Sequence, residues 1–196
     1  MDSVADVTFI GENVSDKYGQ SVSQAGDING DGYDDVIIGA PGYNTNTGRA
    51  YIYYGANNMN NTANVTLNGE NTNNFFGNSV SDAGDVNGDG YSDVITGAYG
   101  YSTNTGRAYV HYGGFNMNST ADIVTTGEGI NNFMGTCVSS AGDVNGDGFS
   151  DIAVGIDGYN GNTGKVNVYF GSANANNIGD VFFIGENFSS LFGSAI

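Results

Sequence analysis

The chain has 196 residues, 39% hydrophobic and 12% aromatic, which is enough to bury one core and excludes wholesale disorder. Its 33 glycines accompany a single proline and a single cysteine, so it is neither a collagen triplet repeat nor a disulfide-stapled module. Four Lys and Arg against 21 Asp and Glu give a formal charge of -17, which argues against nucleic acid and anionic membranes and makes cations the natural partners.

No apolar stretch approaches the length of a membrane span; the run Val36 to Ile38 is typical. The residues after Met1 show neither the basic start nor the apolar run of a signal peptide. Internal repetition dominates instead. The string AGDINGDGYDDVIIGA from Ala25 returns as AGDVNGDGYSDVITGA from Ala83 and as AGDVNGDGFSDIAVGI from Ala141, a constant offset of 58 residues. The same offset relates Tyr18-Gly19, Phe76-Gly77, Met134-Gly135 and Phe192-Gly193. The chain therefore divides into repeats 18–75, 76–133 and 134–191. Residues 1–17 are expected to supply the outer strand of a preceding unit, and 192–196 the start of a following one.

In chain order, the elements begin with VTFIGEN at Val7, copied as VFFIGEN at Val181, where Val7 to Phe9 predicts an outer strand. The first strand of a unit falls near Gly19 to Gln24. There Ser21, Ser79, Cys137 and Ala195 share one column, and small side chains suit a crowded axis. An acidic loop follows, then a continuous apolar run, Asp35 to Gly39, as expected of a strand buried on both faces. The third strand, Arg49 to Tyr54, is rich in tyrosine, and the fourth, Val65 to Leu67, recurs at Ile123 to Thr125 and Val181 to Phe183. No helical period of useful length appears. Four short strands per unit predict an all-β fold of β-propeller blades, each an antiparallel sheet. Three blades cannot close a ring, so a longer parent chain or another copy is expected to complete it.

The acidic loops carry the sharpest chemistry. Oxygen donors stand at positions 1, 3, 5 and 9, with a main-chain carbonyl offered at position 7. The residues are Asp27, Asn29, Asp31, Tyr33 and Asp35, then Asp85, Asn87, Asp89, Tyr91 and Asp93, then Asp143, Asn145, Asp147, Phe149 and Asp151. Six or more hard oxygens are what Ca²⁺ takes, so about three ions per chain are expected. Gly32, Gly90 and Gly148 permit the sharp turn at position 6. An EF-hand would place Glu at position 12 and a helix after it, whereas Ile38, Thr96 and Val154 stand there and a strand follows.

Together, Phe-Gly, the D-x-N-x-D-G-x-x-D loop and Gly39-Ala40-Pro41 resemble the FG-GAP repeat of the integrin α-subunit propeller. The resemblance implies a seven-bladed parent, calcium held between the first and second strands of a blade, and extracellular adhesion or ligand binding. The match departs at Gly97-Ala98-Tyr99 and Gly155-Ile156-Asp157, and at Tyr18-Gly19 and Met134-Gly135.

Other residues read as structural. His111 occupies the column of Tyr53 and Tyr169 and is expected to pack, and Cys137 is expected to be a small buried residue. Arg49, Arg107 and Lys165 form one column, which points to the same ion pair or carbonyl contact in every blade. Tyr43, Tyr101 and Tyr159 lie in Asn- and Thr-rich loops suited to a protein or glycan ligand. With no nucleophile or acid/base constellation outside the loops, no enzyme is expected. The reading is a calcium-binding extracellular adhesion or ligand-binding module; the alternative is the non-catalytic scaffold of a secreted hydrolase, or a lectin.

Overall fold

The computed structural model describes residues 5–196, in which three sheets of four antiparallel strands carry the fold. β1 (Val22–Gly26), β2 (Asp35–Ala40), β3 (Arg49–Tyr53) and β4 (Val65–Asn68) form the first sheet, in that spatial order. β5 (Val80–Gly84), β6 (Asp93–Ala98), β7 (Arg107–His111) and β8 (Ile123–Thr126) repeat the meander. β9 (Met134–Gly142), β10 (Asp151–Ile156), β11 (Lys165–Tyr169) and β12 (Val181–Ile184) repeat it again. These are blades of a partial propeller. Among the described residues no helix is long and apolar enough to cross a membrane.

Each second strand lies between two hydrogen-bonded neighbours and between two packed faces, so alternation of apolar and polar residues gives way to continuous burial. Every residue of β6 and of β10 is buried, and in β2 only Val36 is partly exposed. The register is regular between second and third strands, with Ile37 opposite Ile52 and Ile95 opposite Val110. It slips by one residue where each first strand enters the acidic loop, at Gln24 to Gly26 in the first sheet and Asp82 to Gly84 in the second. These are β-bulges that turn the chain out of the sheet.

The core is built between sheets. Ile28, Ile37, Ile52 and Leu67 of the first unit pack against Phe76, Val80, Val94 and Tyr109 of the second. Val86, Ile95 and Val110 then pack against Met134, Ile152, Val154 and Tyr169 of the third. The small column seen in the sequence faces the next first strand: the Ser21 hydroxyl accepts from the Val80 amide at 3.0 Å, and Ser79 from Val138 at 3.0 Å. The repeated glycines are explained by backbone approach. A Cβ on Gly39 would lie 2.0 Å from the carbonyl oxygen of Gly77, and one on Gly97 would lie 2.1 Å from that of Gly135. Phe-Gly therefore abuts the Gly-Ala of the unit before it.

The two end segments expected to belong to neighbouring units are not in ladders among the described residues. Val7 to Phe9 joins no ladder among the described residues. It sits as a packed segment, with the Phe9 ring 4.3 Å from that of Tyr53. Residues 193–196 likewise form no strand; Phe192 makes only an isolated parallel bridge to Gly164. The segment at residues 1–4 lies outside the described residues. Cys137 is half-buried rather than buried, with Sγ 3.9 Å from the Ile196 carbonyl oxygen.

Candidate metal centre

Each acidic loop joins the first strand of a blade to the second, and its conformation is the same in all three copies. In the first, the Asp27 carboxylate accepts from the amides of Gly30, Asp31 and Gly32 at 2.8, 3.1 and 2.9 Å. Asn29 Oδ1 accepts from the Asp31 amide at 3.0 Å, and Asp31 Oδ1 accepts from the Tyr33 amide at 3.0 Å. These side-chain turns wind the chain around its own carboxylates, which is why Asp and Asn alternate with other residues here. Gly30 and Gly32 have φ of 76° and 90°, the left-handed region that the winding requires.

Asp85, Asn87 and Asp89 repeat the pattern, as do Asp143, Asn145 and Asp147. Tyr33, Tyr91 and Phe149 stand at position 7 of their loops. Positions 1, 3 and 5 are thus gathered on the solvent side of each loop.

Position 9 is placed differently. Asp35 is buried, and its two oxygens accept from the amides of Ile28 at 2.9 Å and Gly55 at 2.7 Å. Asp93 binds Val86 and Gly113 at 2.9 and 2.8 Å, and Asp151 binds Val144 and Gly171 at 2.8 and 2.9 Å. Each of these carboxylates ties the acidic loop to the turn after the third strand. Burial pushes Asp93 up to about 7, opposed by its two amide donors and reinforced by the Asp89 and Asp85 charges. Burial raises Asp35 as well. The motif gave no sign of this second task, since a ligand at position 9 and a buried pin have the same letter.

Among the described residues no three acidic, histidine or cysteine side chains stand as a group shaped to hold a metal ion. The loop carboxylates are turned to their own amides, and the position 9 carboxylates to the sheet. The donor chemistry nonetheless suits a hard divalent cation. Every side chain at positions 1, 3, 5 and 9 offers oxygen, and a carboxylate that accepts one amide on each oxygen retains further acceptor capacity.

The remaining singled-out residues are accounted for by packing. Arg49 pairs with Glu12 at 3.2 Å, Arg107 with Glu70 at 2.7 Å and Lys165 with Glu128 at 2.8 Å. Each Glu comes from the G-E string of the preceding segment, so the pair latches successive units. The Tyr43 and Tyr101 rings each lie 3.6 Å beneath an Arg guanidinium, and Tyr159 lies 5.2 Å from the Lys165 ammonium. One face of every loop tyrosine is therefore given to a cation of its own blade. His111 is buried, with its ring edge-on to Phe76, and Nδ1 has no hydrogen-bond partner.

Comparison with known proteins agrees with this architecture. A family model described as FG-GAP repeat matches residues 18–53, 76–111 and 138–170, together more than half of the chain. The chain is 36% identical to human integrin alpha-6 over 110 residues, 54% of this chain and 9% of that protein. It is 39% identical to mouse integrin alpha-2 over 90 residues, 43% of this chain and 8% of that protein. It is 32% identical to Xenopus laevis integrin alpha-5 over 120 residues, 57% of this chain and 11% of that protein. The chain thus spans about a tenth of the length of these relatives. With three copies of the motif and the sheets it marks, the chain belongs to the FG-GAP repeat family.

Proposed function

We propose that this chain is a calcium-binding, integrin-like propeller module that works outside the cell in adhesion or ligand binding. The observation that supports it is the triple recurrence of one loop, with the same side-chain turns around the same oxygen donors. In each loop the side chains at positions 1, 3, 5 and 9 and the carbonyl of position 7 would hold the ion: Asp27, Asn29, Asp31, Tyr33 and Asp35 in the first. The ion would supply positive charge where three carboxylates crowd together. The chain's own residues do the rest. Asp27 winds the loop, Asp31 closes its turn, and Asp35 anchors it to the sheet. The net charge of -17 favours the same partner and disfavours anionic ones.

Ion affinity of an extracellular kind, with Kd of about 10⁻⁴ to 10⁻³ M, would match a compartment at millimolar calcium. The absence of a recurring nucleophile and base supports a binding role over catalysis. A protein or glycan ligand would be met by loops at one end of the blades. Calorimetric titration with calcium tests the reading: about three ions per chain are expected, and Asp89→Asn should lower the count by one. No heat of binding at millimolar calcium would overturn it.

A further inference from the structure

The joint between the first and second sheets and the joint between the second and third share most of their contacts, and the shared set cannot tell one unit from another. Ser21 bonds the Val80 amide at one joint as Ser79 bonds Val138 at the next. The Asp27 and Ile28 carbonyls accept from the amides of Ser92 and Gly114, and those of Asp85 and Val86 from Ser150 and Ser172. The sharpest difference lies in four columns at the repeat offset: Leu67 and Thr125, Phe76 and Met134, Tyr109 and Asn167, His111 and Tyr169. All of these side chains are buried.

At the second joint these columns form a polar relay. Tyr169 OH and Thr125 Oγ1 lie 2.9 Å apart across the joint, Asn167 Nδ2 donates to the Tyr169 oxygen at 3.2 Å, and Thr125 Oγ1 donates to the Asn177 carbonyl at 3.4 Å. The threonine proton goes to Asn177, so Tyr169 is the donor between the sheets, and each hydroxyl both donates and accepts. Asn177 Nδ2 returns across the joint to the Val124 carbonyl at 3.3 Å. Among the described residues the first joint carries no such relay. Leu67 stands in the column of Thr125, and the Phe76 ring lies edge-on to Tyr109 and to His111, with centroids 5.2 and 6.3 Å apart. Tyr109 gives its hydroxyl to Glu70 at 2.9 Å, and His111 Nδ1 has no partner. Where this last column holds a tyrosine, a hydroxyl meets it: Tyr53 OH lies 2.7 Å from Tyr18 OH, as Tyr169 lies beside Thr125.

We propose that these four columns key the order of the units. The face that the first sheet turns to its neighbour, with Leu67, fits a unit carrying Phe76, Tyr109 and His111. The corresponding face of the second sheet, with Thr125, fits a unit carrying Met134, Asn167 and Tyr169. A third unit seated on the first sheet would set the Tyr169 hydroxyl against Leu67. A second unit seated on another copy of itself would set Thr125 against Phe76 and His111. Either mismatch leaves a buried hydroxyl without its partner and weakens the joint about 5- to 150-fold. Repeats that are alike in the rest of their interface are prone to pair out of order during folding, and a mismatch of this size at each wrong joint opposes it.

Urea unfolding of the intact chain tests this with variants of unchanged composition. Leu67→Thr with Thr125→Leu mismatches both joints from one side. Phe76→Met, Tyr109→Asn and His111→Tyr with Met134→Phe, Asn167→Tyr and Tyr169→His mismatch them from the other, and both sets together restore a match. In the wild-type background the first set should raise the unfolding equilibrium constant about 5- to 150-fold. Added to the second set, the same two substitutions should lower it. Destabilisation of similar size in both backgrounds would overturn the proposal. A milder cycle serves if the larger exchange does not fold. Thr125→Val and Tyr169→Phe each remove one hydroxyl of the relay, and the double variant should lose less than the product of the two single losses. Single losses that multiply in the double variant would overturn the proposal as well. All samples are measured in chelator, so the outcome is independent of whether the acidic loops hold calcium.

Discussion

His111 is the one imidazole of the chain, and its surroundings fix its protonation. Burial lowers it from its ordinary value to about 4, because no partner compensates the charged form. Between pH 6.5 and 4 the unfolded chain therefore binds a proton that the folded chain refuses, and stability is lost as the pH is lowered through that window. The full effect is on the order of 3 kcal/mol. Asp93 works in the opposite sense in the metal-free chain, since its raised value favours the folded form at lower pH. The comparison that isolates the imidazole is between the wild type and His111→Phe. Their stability difference in urea should change by about that amount between pH 7 and pH 4, with the wild type losing more. This residue's packing role was legible from its column, where Tyr53 and Tyr169 stand; its unpartnered nitrogen was not, because only the fold shows that no polar group comes within hydrogen-bond reach of Nδ1.

At the scale of elements, the acidic loop is two devices that share a motif. Positions 1, 3 and 5 wind the loop, and position 9 pins it, with Asp93 accepting from Val86 and Gly113. Asp93→Asn keeps the shape but replaces one acceptor oxygen with a donor. One buried amide then faces another, at a cost of about 1 to 3 kcal/mol. The expected result is lower urea stability with or without calcium, whereas Asp89→Asn, on the exposed side, should act mainly through the ion. Equal effects of the two in chelator would contradict this division. The sequence made the loops legible as turns, because alternating Asp and Asn oxygens and glycines constrain how the chain winds. It could not separate their tasks, since Asp35 and Asp31 differ only in what lies beyond them in space. Strands two and three were readable from apolar runs. Val7 to Phe9 has strand-forming residues, but a strand is defined by its partner, and among the described residues none pairs with it.

Over the whole molecule, three sheets are held by apolar faces, serine-to-amide bonds and Glu to Arg or Lys latches, all of them between consecutive units. The latches were half legible: the cation column was plain, but its partner lies in the preceding unit. The first two acidic loops sit beside these joints, where each contributes backbone carbonyls to the next unit. Ions that neutralise the loops should therefore stabilise blades and joints together. At calcium about tenfold above Kd, each of the proposed sites would add roughly 1.4 kcal/mol to the folded state. The most direct measurement is a thermal melt of the intact chain in chelator and across millimolar calcium. The account predicts a melting temperature that climbs with calcium and falls back when chelator is added in excess. Superimposable curves in chelator and in calcium would contradict it.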